Sequence, residues 1–244
     1  MKRLLLTLSI LLGYLQLYAQ TITLKEDKII TGEESVNAWI FNVCIDADFA
    51  RNDIKDFLKD QFDLKTKKKN KYTLIVTEAD IPNVSTKRGD LLIYLQHSDT
   101  GNIMALSFAM GYDIILNSID NKVEMDHFRD IAKDFIEYHY NSYYSTIIGD
   151  LDKQLNSAKK DLHKKENRIS SMKKKEGNMY KKLSKEQDDE KKTELEKDIE
   201  ELSTEIETDL DLLPALKEQI EILEEDRDKN KSEIMNYQTQ IKKI

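Results

Sequence analysis

From residue 150 to the C-terminus the chain carries 46 charged side chains in 95 residues and only two aromatics, Tyr180 and Tyr237. A stretch so polar cannot close a globular core, so its apolar surface must form a narrow stripe along helices. The sequence supplies such a stripe. Ile148, Leu151, Leu155, Ala158, Leu162, Ile169, Met172, Met179 and Leu183 recur at alternating three- and four-residue steps, with Lys165 and Glu176 as polar interruptions. A second set runs from Leu195 through Ile199, Leu202, Ile206, Leu213, Leu216, Ile220, Leu223, Ile234, Tyr237 and Ile241 to Ile244, interrupted by Asp209, Arg227 and Asn230. This is the a/d spacing of a coiled coil.

The two sets do not share a register. Leu183 and Ile199 are 16 residues apart, two more than two heptads, and nothing apolar lies between Ser184 and Glu194. A reversal of the chain near Gln187–Glu190 accounts for both facts. Charge agrees: residues 159–185 carry a net +8 and residues 186–228 a net −14. Folding one limb on the other sets complementary flanks along the seam. Leu155 is then expected to meet Leu223, and Met172 to meet Ile206. Ile234 and Tyr237 are expected beside Tyr140–Tyr144. Gly177-Asn178 and Pro214 offer another division, into three helices over 148–176, 179–211 and 214–244. The phase kept through Ile206, Leu213 and Ile220 favours a kink at Pro214 inside a hairpin.

Residues 20–147 have a different character, with the single Trp and most of the aromatics. Trp39, Phe41, Val43 and Ile45 alternate as one face of a strand. Asp48 offers an N-cap for a helix through Phe62, striped by Phe49, Ile54, Phe57 and Leu58. Lys65–Lys71 reads as a polar turn or edge hairpin. Tyr72–Thr77 reads as a strand with Tyr72, Leu74 and Val76 inward. Leu91–Gln96 and Ile103–Met110 form a hairpin across the link 98–102, and Ile114–Leu116 adds a short edge strand. From Val123, Phe128, Ile131, Phe135 and Tyr138 mark a second amphipathic helix. The fold class is therefore α+β: a small antiparallel sheet covered by helices, followed by a long antiparallel coiled-coil helical hairpin. In its element order the first part resembles the helix-grip or TBP-like topology.

The N-terminus bounds the compartment. Lys2 and Arg3 precede an apolar run, Leu4–Leu17, that is too short to span a bilayer, and Tyr18-Ala19 forms a small-residue end. The domain reading is 1–19 signal peptide, 20–147 α+β domain and 148–244 arm. Cleavage after Ala19 exports the protein to the periplasm or beyond, and Lys2 and Arg3 leave with the leader, giving a net charge of −10. That balance speaks against nucleic-acid partners, which need basic surface. The lone Cys44 excludes an internal disulfide framework and reads as a small buried hydrophobe.

Motifs of chemistry are sparse. Asp46 and Asp48 resemble a cation-holding pair, but the type and spacing also suit a turn and a helix cap. His97, His127, His139 and His163 lack metal-ligand spacing, and no P-loop, nucleophile elbow or dinucleotide fingerprint occurs. Arg88-Gly89-Asp90 matches an adhesion tripeptide at the entry to a strand. Lys65, Lys67, Lys68, Lys69 and Lys71 suit edge protection, with a weak membrane-surface contact as a secondary use. Tyr138, Tyr140, Tyr143 and Tyr144 suit a packing junction or a partner surface.

No catalytic, cofactor or metal site is expected. The expected function is a non-enzymatic scaffold or interaction module of the envelope, binding a protein partner or a second copy through its arm. The alternative is a binding module holding a small apolar ligand between sheet and helix, lined by Trp39, Phe41, Phe108 and Phe135.

Overall fold

The computed structural model describes residues 21–31, 34–43, 46–98, 101–111 and 114–244. The expected leader, Cys44 and Ile45 lie outside these residues. The described chain forms two compact units: residues up to Ser145 together with Ser232–Ile244, and Thr146–Lys231.

The first unit holds a six-stranded sheet. Its strands are β1 (Leu24–Thr31), β2 (Glu34–Val43), β3 (Lys67–Lys68), β4 (Thr73–Ala79), β5 (Gly89–Ser98) and β6 (Gly101–Ala109). They lie in the order β1-β2-β6-β5-β4-β3, and all neighbours are antiparallel. Helix α1 (Ala47–Phe62) follows β2, α2 (Lys122–Leu183) follows β6, and α3 (Asp189–Ile241) ends the chain.

One sheet face carries the large side chains. Trp39, Phe41, Leu91, Ile93, Met104, Leu106 and Phe108 join residues of α1, the first turns of α2 and the last turns of α3 in one buried cluster. Period-two alternation puts these strand residues on the same side, and period 3.6 supplies Phe128, Ala132 and Phe135 from α2 to meet them. The four side chains considered as a ligand lining are core residues here. Phe41 and Phe135 pack 5.8 Å apart between ring centres, and Phe108 lies 6.1 Å from Phe128.

Several local expectations need correction. Strand β1 is absent from the sequence reading because four consecutive charges, Lys25–Lys28, mask its alternation; it is an edge strand paired only with β2. The cap of α1 is Asp46, not Asp48: Asp46 Oδ1 accepts from the backbone N–H of Asp48 at 2.9 Å and of Phe49 at 3.0 Å. Tyr72 precedes β4 and is exposed, whereas Leu74 and Val76 point inward as expected. The β5–β6 hairpin is tighter than a five-residue link, since Ser98 pairs with Gly101. Ile115 contributes only an isolated bridge to Ala109.

The second unit consists of the facing stretches of α2 and α3. Leu155 and Ala158 pack with Leu223, and Ile169 and Met172 pack with Leu202 and Ile206. Ion pairs link Lys159 to Glu224 and Arg168 to Glu205, so residue numbers rise on one helix as they fall on the other. The helices are antiparallel. Neither Gly177 nor Pro214 ends a helix, which sets aside the three-helix division. The connection is 184–188, where Asp188 Oδ1 accepts from the N–H groups of Glu190 at 3.1 Å and Lys191 at 3.3 Å. A carboxylate cap at this N-terminus starts α3 without a glycine or proline.

Candidate functional site

Among the described residues, four places concentrate polar or aromatic chemistry. The first is the start of α1, where Asp46, Asp48, Arg51, Lys68, Lys71 and Tyr72 border a groove of about 640 Å³. Asp46 is engaged with the helix N–H groups, and Asp48 pairs with Arg51 three residues on. Arg51 also donates to the Lys71 carbonyl at 3.3 Å. The two carboxylates are therefore committed to capping and to an ion pair, not converged on a common point. Among the described residues, no group of three or more His, Cys, Asp or Glu side chains is placed to hold a metal ion.

The second place is buried, and the sequence reading missed it. His139 Nδ1 lies 2.7 Å from Asp53 Oδ2, and the Ser142 hydroxyl donates to Asp53 Oδ1 at 3.1 Å. The imidazole is fully inaccessible and stacks on Phe135 at 5.7 Å. Both helices place these residues in phase with their apolar stripes: Asp53 between Ala50 and Phe57, His139 after Ala132 and Phe135. That coincidence of a polar residue with a core position was the available signal. In a nucleophilic triad the hydroxyl contacts the base. Here the serine donates to the acid, and the ring is closed to solvent. The arrangement ties α1 to α2 inside the core and satisfies polar groups that would be costly to bury alone.

The third is the tyrosine cluster. Tyr140 stacks on Tyr237 at 5.3 Å, Tyr144 on Tyr237 at 5.7 Å, and Tyr143 meets Phe49 edge-on at 5.6 Å. Tyr237 also donates to Asn141 Oδ1. Burial, and secondarily the Glu137 carboxylate, pushes the Tyr237 phenol up to about 12. Tyr138 is likewise raised, first by burial and then by Asp53, Asp56 and Asp60. Tyr140, Tyr144 and Tyr237 are thus packing residues, which seat the end of α3 on α2 within the first unit. Arg129 strengthens that seat by donating to the Ile244 carbonyl, and Ile22 N–H donates to Gln240 Oε1 at 2.8 Å.

The fourth lies in the second unit. Asp209 is 4% exposed, and it receives Lys165 as an ion pair and Arg168 Nε at 3.3 Å. This charged layer separates the Leu155–Leu223 cluster from the Ile169–Ile206 cluster. Lys165 and Asp209 are two of the polar interruptions that the heptad pattern flagged, one from each limb.

Other sequence candidates have structural roles. Gly89 starts β5, where a Cβ would stand 2.3 Å from the Ala109 carbonyl oxygen and 2.7 Å from the Phe108 ring. Only glycine fits there. Asp90 accepts from the N–H of Glu78 at 3.1 Å, bracing the register shift in β4 where Glu78 has φ 53°. Lys67 and Lys68 form the short outer strand β3. His127 is exposed near the start of α2 and His163 is exposed in the second unit, where Nε2 lies 3.0 Å from Asn167 Nδ2. His97 lies in β5.

No family model matches the chain, and no curated protein or solved structure matches it either. Among the described residues, no helix is long and apolar enough to cross a membrane.

Proposed function

We propose that the protein is a non-enzymatic scaffold of a bacterial envelope, exported after cleavage at Ala19, whose long helix pair is an antiparallel coiled-coil arm presented to a protein partner. The first unit follows the helix-grip or TBP-like element order. One observation carries this reading: the helix pair buries a thin apolar seam, and most of its exposed positions are charged. Its two a/d clusters flank a Lys165–Asp209 layer in which the carboxylate is buried and the ammonium partly exposed, a device that selects register and orientation in coiled coils. The limbs keep opposite net charge, which favours charge-complementary recognition over a greasy interface.

The reading places partner specificity on the lysine-rich limb. A tagged chain is purified from the envelope fraction of its source. The expected result is an N-terminus at Gln20 and a co-purifying protein that is lost when Lys173, Lys174 and Lys175 are replaced by Glu. A chain that retains Met1, or that behaves as a solitary monomer with no such partner, contradicts the proposal.

A further inference from the structure

The groove at the start of α1 lies where the helix crosses the β3 edge of the sheet. β3 pairs with β4 so that Lys68 stands opposite Leu74 and Lys67 opposite Ile75. Directly paired residues project to one side of a sheet, and Leu74 belongs to the buried cluster. Lys68 is therefore on the helix-bearing side and borders the groove, whereas Lys67 is on the other side and does not. Lys71 and Tyr72 border it from the turn into β4, and Leu95 of β5 with Ala47 of α1 supply apolar lining. The turn is fixed by its backbone. Leu95 N–H donates to the Tyr72 carbonyl at 2.8 Å, Tyr72 N–H to Asn70 Oδ1 at 2.8 Å, and Lys69 N–H to the Thr73 carbonyl at 2.9 Å. Arg51 ties the same turn to α1 through the Lys71 carbonyl. Tyr72 is thus held by its main chain and is still 56% exposed. A contact residue anchored in this way has less ordering to undergo on binding.

Positive charge is left over in the groove. Asp46 caps the helix and Asp48 pairs with Arg51, so both carboxylates are occupied. Among the described residues, neither Lys68 nor Lys71 has a carboxylate partner, and the Lys71 ammonium stands 5.3 Å from the centre of the Tyr72 ring. Edge protection accounts for lysines in β3. It calls for neither Lys71 nor an exposed ring beside it. We infer that this groove binds a soluble phosphate monoester carried on a ring, an aryl or sugar phosphate. A phosphate monoester carries about −1.5 to −2 charge at neutral pH, a match for two ammonium groups. Lysine meets phosphate as a point charge, whereas the planar arginine fork that suits a carboxylate is already engaged with Asp48.

The roles divide by chemistry. Lys68 and Lys71 hold the phosphate, and Tyr72, Leu95 and Ala47 take the ring. The volume of about 640 Å³ falls within the range of small-molecule sites, about 300–1,000 Å³. Both lysines are exposed, so the attraction is screened and the affinity falls with added salt. The inference is independent of the arm, because every residue bordering the groove belongs to the first unit.

The test is isothermal titration calorimetry at low salt on the chain from Gln20 to Ile244, with phenyl phosphate and methyl phosphate as probes. Phenyl phosphate is expected to bind with a sub-millimolar dissociation constant, and more tightly than methyl phosphate. Lys68→Ala and Lys71→Ala should each weaken it at least about fivefold. Lys67→Ala, on the opposite side of the same strand, should change it less than about twofold. Tyr72→Ala should bring phenyl phosphate down to the affinity of methyl phosphate while methyl phosphate still binds, a pattern that loss of folding cannot mimic. No binding of phenyl phosphate at about 10 mM overturns the inference. So does an equal loss in Lys67→Ala and Lys68→Ala, which is diffuse attraction to a lysine-rich edge. A chain that binds phosphatidate vesicles but not phenyl phosphate assigns the lysines to a membrane surface and overturns it. Calcium binding that is lost in Asp48→Asn, with no phosphate binding, assigns the groove to a cation and also overturns it.

Discussion

The two units solve the same problem, hiding apolar surface, with opposite resources. The sheet unit has a deep core in which aromatic rings from β2, β6, α1 and α2 touch one another. Among the described residues, that core admits a hydrogen-bonded polar set, Asp53 with His139 and Ser142. The helix-pair unit has two short apolar clusters with a charged layer between them. A deep core gains most of its stability from volume filled, and a thin seam from matching position to position. Truncation should therefore hurt most in the first unit, and loss of pairing order should matter most in the second.

The largest effect is expected at Phe135, which is fully buried and contacts Phe41 and Phe57. Phe135→Ala leaves a ring-sized void and should cost about 3–5 kcal/mol, read as an early loss of sheet signal in denaturant titration. Asp53→Ala comes next. It strips the partner from a buried imidazole and a serine, and should cost about 1–3 kcal/mol. A comparable effect of Ser142→Ala alone would contradict that ranking, since the carboxylate keeps its closer contact with His139.

Asp209→Ala should cost about 1–2 kcal/mol, because Lys165 is partly exposed and recovers some hydration. The sharper comparison is Lys165→Leu with Asp209→Leu. That pair should equal or exceed the wild type in stability, yet loosen the register, seen as extra cross-linked species between engineered cysteines on the two limbs. Restored stability with an unchanged register would show that the charged layer has no specifying role. At the small end, Lys159→Ala removes the exposed pair with Glu224 and should change stability by about 0.2–1 kcal/mol, less at high salt.

The junction of α2 and α3 in the first unit gives a pH signature. Tyr237 is raised to about 12 in the folded chain, above the value near 10 of a free tyrosine. Its contribution is therefore complete below pH about 10 and is lost as pH climbs toward 12, because the unfolded chain ionises first. Melting temperature should fall over that interval in the wild type, and Tyr237→Phe should flatten the fall. An unchanged slope in Tyr237→Phe would place the alkaline sensitivity elsewhere.

Periodicity made the larger elements legible. Ile54, Phe57 and Leu58 announced α1, Phe128 and Phe135 announced the start of α2, and the a/d steps announced two long packed helices. Elements that depend on pairing were harder. β1 has Lys25, Glu26, Asp27 and Lys28 in succession, so its strand character comes from the register with β2 and not from its own pattern. The helix reversal was visible as a missing stripe between Leu183 and Leu195. Its position was less visible, because carboxylates of Glu186 and Asp188 form the turn and cap in place of glycine. Asp53 and His139 were overlooked because each reads as an ordinary helix residue until the other helix is laid beside it. Only the three-dimensional meeting of two in-phase polar residues reveals the pair.

The most direct test of the account is a cross-link between the two long helices. Leu155→Cys and Leu223→Cys, placed in a Cys44→Ala background, put two thiols in the same apolar cluster. Mild oxidation should give one fast-migrating monomer on a non-reducing gel, formed at a rate independent of protein concentration. Cross-linking that appears only between chains, or not at all while the helices remain folded, would contradict the pairing on which the rest is built.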